Sequence, residues 1–171
     1  MKTTTILPIL AAALIFAGLF AWGYAGKGGT TASVQNAGGS SAGGMLAASE
    51  SFYDFGAISM RNGNVTKEFT VTNPTNQDVT IKTMVTSCMC TVAFLVRPDG
   101  SAKGPFGMSG HGGAVPPVNE FVKAGESRTV RIVYDPNAHG PAGVGAVDRF
   151  IMLTDGSGNT LQLEIKAVVT P

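Results

Sequence analysis

The stretch from Asn64 to Asn73, NVTKEFTVTN, places Val65, Phe69 and Val71 on one side of an extended chain. Thr66, Glu68, Thr70 and Thr72 fall on the other. Successive side chains of a strand point to opposite faces, so period two with one apolar face is the mark of a half-buried antiparallel strand. The same signature recurs along the chain. Val79, Ile81 and Val85 alternate with Thr80, Lys82 and Thr86, and Val130, Ile132 and Tyr134 share a face. Leu161, Leu163, Ile165, Ala167 and Val169 oppose Gln162, Glu164 and Lys166. Turn-forming residues separate these runs: Asn62, Gly63 and Asn64; Asn73 to Asn76; and Asp155 to Asn159.

Three further runs, FYDFGAI from Phe52, CTVAFLV from Cys90 and DRFIMLT from Asp148, bring the expected strands to seven. Seven short strands in about 120 residues predict an all-β, seven-stranded immunoglobulin-like sandwich over residues 51–171. No part of this region holds apolar spacing of 3.6, and no internal repeat is present. The Cys-Trp-Cys pattern of antibody domains is missing, because Trp22 is the only tryptophan and precedes the domain.

Ahead of the sandwich, Thr3 to Tyr24 carries no charge and Ile6 to Trp22 is almost wholly apolar. About 20 apolar residues cross a bilayer core as a helix, whereas a secretory apolar region has about 7–15. Residues 1–25 are therefore expected to form a signal anchor, a single transmembrane helix. Lys2 before the run directs the rest of the chain outside the cytoplasm. Gly23, Tyr24 and Ala25 also fit a cleavage site, so the alternative is a signal peptide cut near Ala25, giving a secreted or periplasmic product. No cysteine follows the run, which argues against a lipoprotein anchor. Residues 26–50, rich in Gly, Ser and Thr, read as a flexible tether.

Lys and Arg total 12 against 11 acidic residues, with neither sign clustered. Such a balance offers no phosphate-tracking surface, so nucleic acid is not expected as a partner. Asp148 and Arg149 read as an exposed pair of little weight.

The runs YDFG (Tyr53 to Gly56), FTVTN (Phe69 to Asn73), TSCMCT (Thr86 to Thr91), AGES (Ala124 to Ser127) and VYDP (Val133 to Pro136) follow one another in a familiar order. In them the chain resembles the bacterial envelope family termed domain of unknown function fifteen-seventy-three, itself similar to the immunoglobulin-like domains of hydin and the major sperm protein. The resemblance covers roughly Phe52 to Val169. It implies the sandwich and an envelope location, and it brings no agreed activity. The chain departs from the family in a long Gly/Pro-rich insertion between CTVAFLV and FVKAGES, and in Met89, where glycine is common.

SCMCT, residues 87–91, holds both cysteines of the chain. On an up-and-down path this corner and the loop carrying His139 fall at the same end of the sandwich. The insertion starts from the other end but is long enough to bring Met108 and His111 back, since an extended chain covers about 3.3 Å per residue. The candidate metal ligands are thus Cys88, Cys90, Met108, His111 and His139. Thiolate, thioether and imidazole suit copper(I), with zinc second through the Cys and His subset. Two other readings stay open. One is a Cys88–Cys90 disulfide, for which extended residues two apart lie near the upper Cα limit of about 6.8 Å. The other is buried free thiols that pack as small apolar groups. No orienting third residue accompanies the Cys and His, so an enzyme is not expected. The sequence supports two functions: a tethered soft-metal-binding domain, or a non-catalytic protein-interaction module with no metal.

Overall fold

The computed structural model describes residues 46–110 and 116–171. The expected N-terminal helix, most of the expected tether, and His111 lie outside the described residues. Among the described residues no helix is long and apolar enough to cross a membrane.

The architecture is all-β, with two sheets facing each other across one apolar core. Among the described residues ten strands, rather than seven, build it: β1 (Ala47–Ala48), β2 (Phe52–Ser59), β3 (Val65–Thr72), β4 (Val79–Thr86), β5 (Thr91–Val96), β6 (Ala102–Phe106), β7 (Glu120–Val122), β8 (Ser127–Tyr134), β9 (Gly145–Asp155) and β10 (Thr160–Thr170). One sheet has the order β1-β3-β8-β5-β6 and the other β2-β10-β9-β4-β7. The seven expected strands are all present. The three additional ones are edge strands that carry little alternation of their own.

Strand β1 begins inside the expected tether. Leu46 and Ala48 are buried, Ala47 and Ala48 pair with Thr72 and Val71, and the Ser49 amide donates to Thr70 O at 3.2 Å. Strand β6 rises from the insertion, paired antiparallel with β5. Gly104 is required within it: at φ +129°, a Cβ there would lie 2.9 Å from Ala93 O. Strand β7 caps the edge of the second sheet beside β4.

Alternation predicts the buried faces of β3, β8 and β10 correctly, with Phe69 and Val71, Val130 and Ile132, and Leu161, Leu163 and Ile165 all in the core. It fails in the second half of β4. The pairing of β4 with β9 shifts register between Ile81 and Thr83, and such a bulge inserts a residue and exchanges the two faces. Val79 and Ile81 are buried as expected, but beyond the bulge Met84 and Thr86 face the core instead of Val85. That exchange turns the Thr86 hydroxyl inward at the corner leading to the cysteines.

Three chain crossings between the sheets meet at one end of the sandwich. They are β2 to β3 through Met60–Asn62, β4 to β5 through Ser87–Cys90, and β8 to β9 through the loop after Tyr134. At the opposite end the buried Glu120 accepts from Arg97, at 2.9 and 2.7 Å, and from Arg128 at 3.2 Å, and pairs with Lys103 at 2.9 Å. The cluster fastens β6, β7 and β8 to the end of β5.

Candidate functional site

Thr86 forms the corner. Its hydroxyl lies 3.0 Å from Cys88 O and 2.9 Å from Thr91 O, and the Thr91 amide donates back to Cys88 O at 3.1 Å. The chain therefore turns between Cys88 and Thr91 and does not run extended. The turn brings the Cα atoms of Cys88 and Cys90 to 5.3 Å, inside the range a disulfide needs, and the two sulfurs are bonded. The disulfide, one of the readings left open by the sequence, is the form in this structure. The sulfurs differ in setting: Cys90 is buried and Cys88 half-buried.

His139 reaches the corner from the loop between β8 and β9. The Asn137 amide donates to Asp135 Oδ1 at 2.8 Å, the Gly140 amide donates to Asn137 O at 2.9 Å, and the Asn137 side chain donates to Met60 O at 2.7 Å. These bonds tie the loop to itself and to the neighbouring crossing. The exposed imidazole then sits with Nε2 3.2 Å from Cys88 Sγ. A side chain at Gly143 would crowd His139 Cβ and Pro136 O at 3.4 Å. Cys88 Sγ, Cys90 Sγ and one His139 ring nitrogen all lie within 4.8 Å of one another.

Comparison with known proteins bears on this corner directly. Residues 46–99 match the family model described as a protein of unknown function, DUF1573. The resemblance read from the sequence is shown over that stretch, which runs from β1 through β5 and includes SCMCT. A protein of unknown function from Porphyromonas gingivalis W83 is similar in structure at a TM-score of 0.53 and 14% identity, covering 81% of this chain and 51% of that one. This chain therefore spans about half of that structure. The PapD-like domain 7 of human CEP192 is similar at 0.46 and 11% identity, covering 74% and 85%. The periplasmic chaperone SfaE stands at 0.40 and 11% identity, covering 74% and 57%. At 14% identity the likeness to the Porphyromonas gingivalis protein shows the fold alone. No curated protein matches the chain.

Outside the DUF1573 stretch, β6 carries the insertion back along the sheet. The Thr86 amide donates to Gly107 O at 3.2 Å, and Met108 forms a parallel bridge with Thr86. Met108 thus returns to a position beside the residue two before Cys88. His111, the remaining candidate, lies outside the described residues.

Arg149 belongs to the site as well. Strand β9 places it in phase with Val147, Ile151 and Leu153, on the side that faces the core. Its Nε donates to Cys90 Sγ at 3.1 Å, and Nη1 donates to Asp148 O at 2.8 Å. Among the described residues no carboxylate forms an ion pair with it. The expectation of an exposed Asp148–Arg149 pair is corrected here, since Asp148 pairs with Lys166 at 3.4 Å. The register is fixed by Ser87, whose amide donates to Phe150 O and whose hydroxyl accepts from the Phe150 amide, both at 2.9 Å. Nearby, burial pushes the Tyr134 phenol up, while the Arg149 charge pulls it the other way. Arg149 was legible in principle, because an arginine in phase with three apolar residues must find a partner at the strand end.

Proposed function

We propose that this chain is an exported, membrane-tethered binding domain rather than an enzyme. When its disulfide is reduced, Cys88, Cys90 and His139 take up one soft metal ion, copper(I) first and zinc second. The observation that carries the reading is the convergence of two sulfurs and an imidazole nitrogen within 4.8 Å. Copper(I) favours a small set of soft ligands, and two thiolates with one imidazole provide it. Two thiolates around a single positive ion leave one negative charge, which Arg149 beside Cys90 Sγ offsets. Met108, bridged to Thr86, is a further candidate donor. Export is supported by the uncharged run from Thr3 to Tyr24, and a cysteine pair that closes a disulfide suits an oxidising compartment. The test is metal content of the reduced full chain after anaerobic loading. One copper per chain is expected, and Cys88→Ser that still retains it would remove the reading.

A second reading, a protein-interaction module without metal, draws on the two edges of the second sheet. Phe121 on β7 is 67% exposed and Phe52 on β2 is 40% exposed. Partner binding or self-association that survives loss of both cysteines but is lost in Phe121→Ser would favour it.

A further inference from the structure

The two sulfurs of the disulfide stand against different nitrogens. Buried Cys90 receives Arg149 Nε at 3.1 Å, and the more open Cys88 has His139 Nε2 at 3.2 Å. Cys88 is the more open to an external group, because it is half-buried beside the exposed His139 while Cys90 is 3% exposed. We propose that the Cys88–Cys90 disulfide exchanges with external dithiols by attack at Cys88, with Arg149 positioned to hold the Cys90 sulfur as it leaves. This goes beyond metal uptake and does not depend on it.

The exchange takes two displacements. A thiolate of the external dithiol bonds to Cys88 Sγ while the Cys88–Cys90 bond breaks, and that electron pair leaves on Cys90. The reagent's second thiolate then attacks the reagent sulfur now joined to Cys88. This closes the reagent's own disulfide and releases Cys88 Sγ beside His139. The two protons given up by the reagent return to the cysteines through solvent. The external dithiol is oxidised, the protein disulfide is reduced, and nothing else is consumed.

A disulfide sulfur is a weak acceptor, whereas a departing thiolate carries a charge. The Arg149 contact therefore strengthens as the bond breaks, and only interactions that grow toward the transition state speed a step. A better-stabilised leaving sulfur departs faster. The guanidinium is held for this by its bond to Asp148 O and by the Ser87–Phe150 register, so it does not have to be recruited during the reaction. Arg149 acts on the exchange directly, since it touches the leaving sulfur, a reacting atom.

The experiment uses the full oxidised chain in mild detergent with a chelator present, so that no metal takes part. Reduction by dithiothreitol is followed by acid quenching, alkylation and mass spectrometry. Separately, reduced glutathione is added briefly and the mixed disulfide is located by fragmentation. Glutathione is expected on Cys88. Arg149→Gln should slow reduction about tenfold, as loss of a charge-assisted contact to a leaving thiolate implies, and Arg149→Lys should restore part of the rate. Glutathione on Cys90, an unchanged or faster rate in Arg149→Gln, or a slowed rate that Arg149→Lys does not improve would each overturn the proposal. Failure of copper uptake would leave these results untouched, so the two readings fail separately.

Discussion

Replacing Glu120 with glutamine removes the anion at which Arg97, Lys103 and Arg128 meet. The Glu120 carboxyl is held at about 2, against an ordinary 4.5, chiefly by hydrogen bonding from Arg97 and further by Lys103 and Arg128, with burial opposing them. Because the folded value lies below the unfolded one, the unfolded chain binds the proton first. The stabilisation is therefore complete above about pH 4.5 and is lost as pH falls toward 2. That interval corresponds to about 3 kcal/mol. Arg97 and Lys103 are each about one-third exposed, at 34% and 32% of their side-chain surface, so solvent screening reduces the figure. In Glu120→Gln the buried Arg128 keeps Glu126 at 3.1 Å and Phe121 O at 2.7 Å, which limits the damage further. A loss of about 2 kcal/mol at pH 7 follows. Urea unfolding of the full chain, followed by circular dichroism at pH 7 and pH 3, measures it. The variant should start lower at pH 7 and lose less than the parent between the two. A variant within about 0.5 kcal/mol of the parent at pH 7, or one with the same acid loss, would refute the reasoning.

Other positions give sharper local tests. Gly104→Ala, which sets a Cβ 2.9 Å from Ala93 O at φ +129°, should cost about 2 kcal/mol in the same unfolding assay. Thr86→Val keeps the shape of the corner but removes the hydroxyl near Cys88 O and Thr91 O; a loss of about 1–2 kcal/mol is expected from the urea midpoint. His139→Ala, at an exposed position, should leave unfolding within about 0.5 kcal/mol of the parent. The same variant should weaken copper(I) binding about tenfold or more, equivalent to about 1.4 kcal/mol, in competition with a chromogenic chelator.

How far each element could be read in advance depended on whether its pattern was local. Strands β3, β8 and β10 alternate cleanly because each lies within a two-faced sheet, with one side in the core. Strand β4 alternates too, but its bulge is set by the partner strand β9, and no residue within β4 announces the change of face at Thr83. Strand β6 contains Gly104 and Pro105, which read as loop in isolation; they stand on a sheet edge, where a missing amide donor is tolerated. The cysteine corner was legible as a place, since both crossings had to fall at one end. Its chemistry was not. Expected as extended chain, the pair sits in a turn closed by Thr86 and Thr91, and that brings the two Cα atoms to 5.3 Å. Arg149 was read past because its neighbour Asp148 suggested an ion pair, while the phase of Val147, Ile151 and Leu153 already pointed it inward.

The proposed site requires Cys88, Cys90 and His139 to act together on one soft ion. Its most direct test is an anaerobic copper(I) titration of the reduced full chain against a chromogenic chelator, beside Cys88→Ser and Cys90→Ser. One copper(I) per chain and loss of competition in either serine variant are expected. Stoichiometric binding that persists in either variant, or a fully reduced chain that takes up no copper, would contradict it.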